Sequence, residues 1–205
     1  MQKKCLFSGA AALVVCAFAA NANAETPFTA NSVELGGGLN YGIYMGDDDG
    51  DPPNPYGLGI GLGAGYTLDF GLYLGGEFNY FLGGSEEAGG IETSWNIMQF
   101  GAEVGYDLGL SPAFVLRPKL GLGLGIAYAE VSGDGFSADD SENGLMIPIG
   151  VEALYSLGGW HLGGQIRYAI FGVTTETTNP VTGETVEHDT DMSGLIIGVV
   201  AGTSF

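Results

Sequence analysis

Basic residues are scarce in this chain. Five lysines and arginines stand against 24 acidic residues in 205. Two of the five, Lys3 and Lys4, sit at the extreme N-terminus, so from residue 25 onward only Arg117, Lys119 and Arg167 remain, at a formal charge of −21. Nucleic-acid binding requires a basic footprint and is excluded. Cysteine is equally sparse: Cys5 and Cys16 both lie in the first 24 residues, leaving the rest without disulfide or thiol chemistry. No apolar run after residue 24 is long enough for a membrane-spanning helix. The chain is not a disordered acidic polymer either, because charged residues make up only 14 % while 38 glycines and 11 % aromatics are present.

The N-terminus reads as a secretory signal. Lys3 and Lys4 precede an apolar stretch from Leu6 to Ala20, and Ala22-Asn23-Ala24 supplies small residues for cleavage before Glu25. The apolar stretch is shorter than the roughly 20 residues of a spanning helix. Val15 is too large for the position before Cys16 in a lipoprotein box. The expectation is a cleavable signal over residues 1–24 and a single domain over residues 25–205.

From Val33 to Met45 every odd residue is apolar or small, and the even ones are small or mostly polar. A period of two over thirteen residues is a strand with two unlike faces. Similar segments recur at Ser32–Met45, Tyr56–Leu68, Phe70–Leu82, Trp95–Leu108, Ala113–Tyr128, Leu145–Leu157, Trp160–Gly172 and Asp191–Phe205. No amphipathic helix is available to cover their apolar faces, so lipid is the expected cover. Short connections fall at Asp69, Gly109–Pro112 and Gly158-Gly159, and long polar ones at Gly46–Pro55, Gly83–Ser94, Ala129–Gly144 and Val173–Thr190. That layout predicts an all-β fold: an eight-stranded antiparallel up-and-down transmembrane β-barrel with short periplasmic turns and longer extracellular loops. An even strand count closes the sheet with both termini periplasmic and no unsatisfied edge in lipid.

Aromatics on the lipid phase mark two interfacial girdles. Tyr66, Phe70, Tyr106, Phe114, Tyr155, Trp160 and Phe205 lie near the short turns, and Tyr56, Tyr80, Tyr128 and Tyr168 near the long connections. Glycine crowds the opposite, lumenal phase, most of all at Gly57, Gly59, Gly61, Gly63 and Gly65. An eight-stranded barrel is only wide enough for side chains to fill it, so glycine leaves space for longer side chains opposite, or for water. Arg117, Lys119 and Arg167 fall on the lumenal phase with Glu77, Glu103 and Glu152, and counting residues places all six at similar heights. Three carboxylates facing three cations would balance, as buried ions must. Glu34 lies nearer the periplasm, and Asn40, Asn79, Gln99 and Gln165 can complete the network. Such a cluster serves either as structural filling or as a gate.

On these residues the chain resembles the small OmpA/OmpX-type outer-membrane barrels. The last strand, Gly194 to Phe205, ends on an aromatic with outward residues at alternate positions, and so resembles the C-terminal signal read by the barrel-assembly machinery. The resemblance implies a monomer in contact with outer-membrane lipid and lipopolysaccharide, escorted by periplasmic chaperones during biogenesis. With the chain stopping at Phe205, no peptidoglycan-binding domain is expected.

Pro118 and Pro148 interrupt two consecutive segments, where a closed sheet has no edge to hide a missing donor; bulges or breaks forming one shared seam are expected. The long connections hold most of the acids and no lysine or arginine. Asp47, Asp48, Asp49 and Asp51 form the densest run, and could bind Ca²⁺ or Mg²⁺ weakly, though no downstream bidentate Glu follows as in an EF-hand. The plainer reading is a solvated acidic surface, with divalent bridging to lipopolysaccharide phosphates between the two. No other cofactor is indicated. His161 belongs at the periplasmic end. His188 stands among acids in the last long connection, without a nucleophilic serine at any recognisable spacing. The reading is a non-enzymatic barrel with a structural, envelope-integrity and surface-loop role. The alternative is a narrow channel or a carrier of small or hydrophobic compounds, and a lipid A-modifying enzyme stands behind both.

Overall fold

The computed structural model describes residues 29–46, 54–133, 136–178 and 185–205. Ten strands follow one another: β1 Ser32–Tyr44, β2 Gly57–Thr67, β3 Leu72–Ala88, β4 Ile91–Tyr106, β5 Leu108–Ser111, β6 Phe114–Gly133, β7 Phe136–Ser156, β8 Trp160–Thr178, β9 Thr185–Asp191 and β10 Gly194–Ser204. β5 continues β4 across Asp107, and β9 leads into β10 across Met192 and Ser193, so the ten segments form eight staves. Each stave is antiparallel to its neighbours. β10 pairs with both β8 and β1, which closes the ring. No helix among the described residues is long and apolar enough to cross a membrane; the crossing is made by strands.

Alternation decides the faces. Leu39, Leu58 and Leu62 are 66 %, 67 % and 62 % exposed, whereas Asn40 is 2 % exposed and lies inside the ring. An outer surface of this kind can lie in lipid, because backbone groups paired around a closed sheet need no water. Most girdle aromatics lie outward: Tyr66, Phe70, Tyr128, Tyr155, Trp160, Tyr168 and Phe205 are exposed, and Tyr80, Tyr106 and Phe114 are half-exposed.

Tyr56 departs from the expected outer girdle. It is fully buried inside the ring, because Gly57 takes a φ of 72° and breaks the alternation one residue before the strand proper. Asn54 holds this entry: its side-chain oxygen accepts from the Tyr44 and Tyr56 backbone N–H groups, and its amide donates to Gly42 O.

Three of the connections expected as long loops are mostly strand. β3 and β4 stay paired up to Ala88 opposite Ile91, joined by Gly89 and Gly90 at φ 63° and 80°, values a two-residue hairpin turn demands. β6 and β7 pair up to Gly133 opposite Phe136, and β8 pairs with β9 from Gly172–Asp191 to Thr178–Thr185. Beyond the hydrocarbon nothing forces one face to be apolar. Alternation therefore lapses while backbone pairing continues, and loss of pattern was a poor guide to where the strands end.

The prolines act as gaps rather than bulges. The β4–β6 ladder stops at Gly105–Lys119 and resumes, in the same register, as β5–β6 at Leu108–Leu116, so Pro118 sits in the gap. The β6–β7 ladder lacks rungs between Leu120–Ile149 and Gly123–Met146, which is where Pro148 lies, again without slippage. The gaps fall on opposite sides of β6, so the two prolines share no seam. Among the described residues, the one register shift in the staves' outer part is at Gly83–Gly84 of β3, between the Leu82–Asn96 and Ser85–Ser94 pairs. There the Gly84 N–H turns to Asn54 O at 2.8 Å.

Candidate functional site

The lumen is filled in layers. At the periplasmic end Arg117, on β6, is 2 % exposed and anchors the lowest one. It donates to Glu34 at 2.9 and 2.8 Å, to Thr67 at 3.3 Å and to both oxygens of Asp107, while Glu152 lies 3.7 Å away. Its guanidinium carbon stacks 4.0 Å above the Tyr73 ring, a geometry in which a planar cation meets the negative face of the ring. Thr29 donates to Asp107 from below, and Ser32 donates to Thr29 O. Thr29, just before β1, is thereby tied to the end of the fourth stave at the periplasmic mouth.

Above Arg117, Lys119 donates to Glu103 at 3.1 Å and lies 3.6 Å from Glu152. Arg167, on β8, pairs with Glu77, on β3, as a separate couple. The six residues singled out by alternation thus fall into two groups. Arg117, Lys119, Glu103 and Glu152 share one network, and Arg167 with Glu77 forms the other. Glu34 belongs to the first group directly.

Asp107 and Tyr73 were missed by sequence reasoning. Both sit on the lumenal phase of their staves, so the same alternation would have found them; Asp107 was hidden by its place at a strand end. With Asp107 included the lumen holds five carboxylates against three cations, and the expected balance fails.

Next comes a neutral layer. Gln165 donates to Asn40 at 2.8 Å, and Asn40 donates to Asn79 at 3.0 Å. The chain of amides runs in one direction and ends at Asn79, whose Nδ2 finds no acceptor.

Toward the extracellular side the lumen becomes apolar. Tyr56, Phe81, Ile97, Met146, Phe171 and Ile196 form a buried cluster. Tyr56 and Phe81 meet edge to face at 5.3 Å, and the Tyr56 hydroxyl donates to Met192 O at 2.8 Å while Gln99 donates to it at 3.4 Å.

The glycine wall serves these layers. Glu77 is flanked across the sheet by Gly63 and Gly101, Glu103 by Gly75 and Gly121, and Lys119 by Gly105 and Gly150. A Cβ added at Gly59 would lie 2.5 Å from the Phe81 ring, and one at Gly125 would lie 2.6 Å from Phe171. Glycine therefore makes the room into which neighbouring staves send their large side chains. A chamber of about 70 Å³ remains, bordered by Glu34, Tyr73, Glu77, Glu103, Lys119 and Glu152. That volume suits a handful of waters and falls well short of the roughly 300 Å³ at which small-molecule pockets begin.

Outside the membrane, Glu86, Glu87, Glu92, Asp139, Asp140 and Asp189 are exposed on the hairpins. The Asp47, Asp48, Asp49 and Asp51 run lies outside the described residues. His188 is on β9 opposite Thr175, with its side chain outside the described residues. His161 is buried at the periplasmic end, its Nδ1 3.3 Å from Ser204 Oγ. Among the described residues no group of three or more His, Cys, Asp or Glu is arranged to hold a metal.

A closed eight-stave barrel with a lipid-exposed outer face and a packed lumen defines an integral outer-membrane protein. The chain belongs to the family of the outer membrane protein beta-barrel domain, whose model matches residues 10–205, and its place is the bacterial outer membrane. No curated protein sequence matches it. Among solved structures it is similar to Ail, the attachment invasion locus protein of Yersinia pestis, with 16 % identity, 86 % of this chain and 99 % of that chain covered, and a TM-score of 0.54. It is also similar to Neisserial surface protein A, with 17 % identity, 84 % and 97 % covered and a TM-score of 0.55. A major outer membrane protein of Thermus thermophilus matches with 13 % identity, 84 % and 99 % covered and a TM-score of 0.56. At such identities the likeness is one of fold.

Proposed function

We propose that this is a non-enzymatic, non-conducting barrel that supports the integrity of the outer membrane and presents an acidic surface on its extracellular hairpins. One observation carries the reading: two barriers stand in series in the lumen. The Arg117 network with Thr29 and Asp107 fills the periplasmic side, and the Tyr56–Phe81–Phe171 cluster fills the extracellular side. A solute would have to break both. In this reading residues 1–24 are a cleaved signal and residues 25–205 the barrel, assembled through Phe205. That residue is exposed on the lipid phase and tied to β1 by Val33 N to Phe205 O at 2.8 Å and Phe205 N to Val33 O at 3.0 Å.

The acidic hairpins also bear on partners. Ail has been solved in complex with the heparin analogue sucrose octasulfate. The hairpins here carry no lysine or arginine among the described residues, so a polyanion would be repelled. Contact with lipopolysaccharide would run through divalent cations or cationic partners instead.

The test is single-channel recording in planar bilayers of the parent and of the double variant Y56A/F81A. No current is expected from either, because the charged layer beneath stays closed. Steady conductance from the parent would reject the reading and install the narrow channel in its place.

A further inference from the structure

Toward the extracellular side the barrel wall parts between β7 and β8. Their ladder runs from Ser156–His161 up to Met146–Phe171 and ends there, while β7 continues along β6 to Gly133–Phe136 and β8 continues along β9. Gly144 marks the parting, since a Cβ there would collide with Gly172 O. Beyond it, among the described residues, residues 136–143 are paired on the β6 side alone. That leaves a free edge of eight residues, about 26 Å long at roughly 3.3 Å per residue.

The backbone groups on this edge can be assigned. The Ser141 N–H donates to the Asp140 carboxylate at 2.8 Å, and so points away from β6. Pairing alternates along an antiparallel ladder, so Ser137, Asp139 and Asn143 turn their N–H and C=O groups the same way. Lower on β7 the parity agrees. Phe171 sends its N–H to Ser193 and its C=O to Met192, which leaves Ile170 to bond Ile147.

Exposed edges are ordinarily blunted by a bulge, a proline, a lysine or a covering loop. β3 is protected in this way, by the shift at Gly83–Gly84 and by Asn54 O on the Gly84 N–H. Residues 136–143 contain no proline, lysine or arginine, and their register with β6 is unbroken. What they carry is negative charge. Asp139 and Asp140 are exposed, and Asp139 stands directly across from Glu130, a like-charge pair that costs stability.

We propose that this edge docks an extended segment of another protein, rich in lysine or arginine, which adds to β7 as a further strand. Main-chain bonds to the odd-numbered residues supply the grip, and a cation beside Asp139 relieves its repulsion by Glu130. A second copy of this chain is a poor occupant, because the same edge turned on itself sets carboxylate against carboxylate. The proposal rests on the acidic extracellular hairpins of the reading above and names the chemistry of their partner; it does not need the lumen to be closed.

The experiment follows amide hydrogen exchange of the full barrel in zwitterionic micelles. The probe is a blocked peptide of alternating lysine and valine, matched in length to the edge. Slower exchange at Ser137, Asp139 and Asn143 is expected, with the amides already paired to β6 unchanged. The S137P/S141P variant should lose this protection, since proline on an edge removes outward donors without touching the β6 ladder. Exchange unaffected by the peptide overturns the proposal, as does equal protection by a peptide with glutamate in place of lysine. Should the variant fail to fold, a fully N-methylated copy of the peptide on the parent decides the matter. Loss of its binding supports strand addition, and undiminished binding overturns it. Steady conductance would reject the closed barrel and leave these outcomes untouched, so the two readings fail separately.

Discussion

Replacing Arg117 by methionine removes the cation that Glu34 and Asp107 share, while Glu152 keeps Lys119 at 3.6 Å. Methionine preserves much of the stem that packs near Tyr73, so packing changes little and the charge effect dominates. Taking one partner from a buried ion pair costs about 3–5 kcal/mol, because the remaining charge is left desolvated and alone. The unfolding equilibrium should then shift by roughly two to three and a half orders of magnitude. Urea unfolding of the refolded barrel in detergent, followed by fluorescence of Trp95 and Trp160, reads this directly. With a slope of about 1–3 kcal/mol per molar urea, the midpoint falls by about 1 M or more. The triple variant R117M/E34Q/D107N removes the orphaned charges as well, and should recover most of the loss. If R117M alone unfolds within about 1 kcal/mol of the parent, the lumenal pairs behave like solvated surface pairs. The picture of a dry, closed periplasmic layer would then be wrong.

Three further outcomes follow from the same geometry. Leu62, 62 % exposed in the middle of β2, should lose about 2–4 kcal/mol of stability on change to lysine, against about 0–1 for L110K near a periplasmic turn; equal costs would place the bilayer wrongly. Gly65→Val drives a side chain into the Tyr73 ring and should cost about 1–3 kcal/mol. Gly76→Ala, whose nearest neighbour atom would be Gly101 O at 3.4 Å on the lipid face, should stay within about 0.5; denaturant midpoints compare them, and the order reversed would contradict the lumen assignment. Millimolar calcium should leave proteolysis of the acidic hairpins unchanged, as expected of a solvated surface, whereas protection saturating at micromolar calcium would establish a site around Asp47, Asp48, Asp49 and Asp51.

Legibility differed from part to part for physical reasons. Alternation is imposed residue by residue wherever one side of a strand meets lipid and the other a polar lumen. Leu39 and Asn40 could therefore be assigned to faces without coordinates, and the same rule covers Arg117, Lys119 and Arg167. It gave out at strand ends. Tyr56 turned inward because Gly57 adopts a left-handed backbone. β3, β4, β6 and β7 ran on past the membrane because backbone pairing does not need an apolar face. Pairing between charges was also out of reach, since strand tilt and side-chain length decide which carboxylate a given cation meets. Counting residues from the turns joined Arg167 to the other cations, while the fold gave it Glu77 as a separate partner.

The sequence alone determined that the strands have one apolar and one polar face with the three late cations on the polar one, and pointed to lipid as the cover because no amphipathic helix is available for the apolar one. Only the tertiary structure decided that the ring is stopped at two levels and that Asp107 tips its interior to five carboxylates against three cations. The first depends on side chains such as Arg117 and Glu34, 83 residues apart, that meet only across the closed ring, and the second on a strand end where alternation is a poor guide.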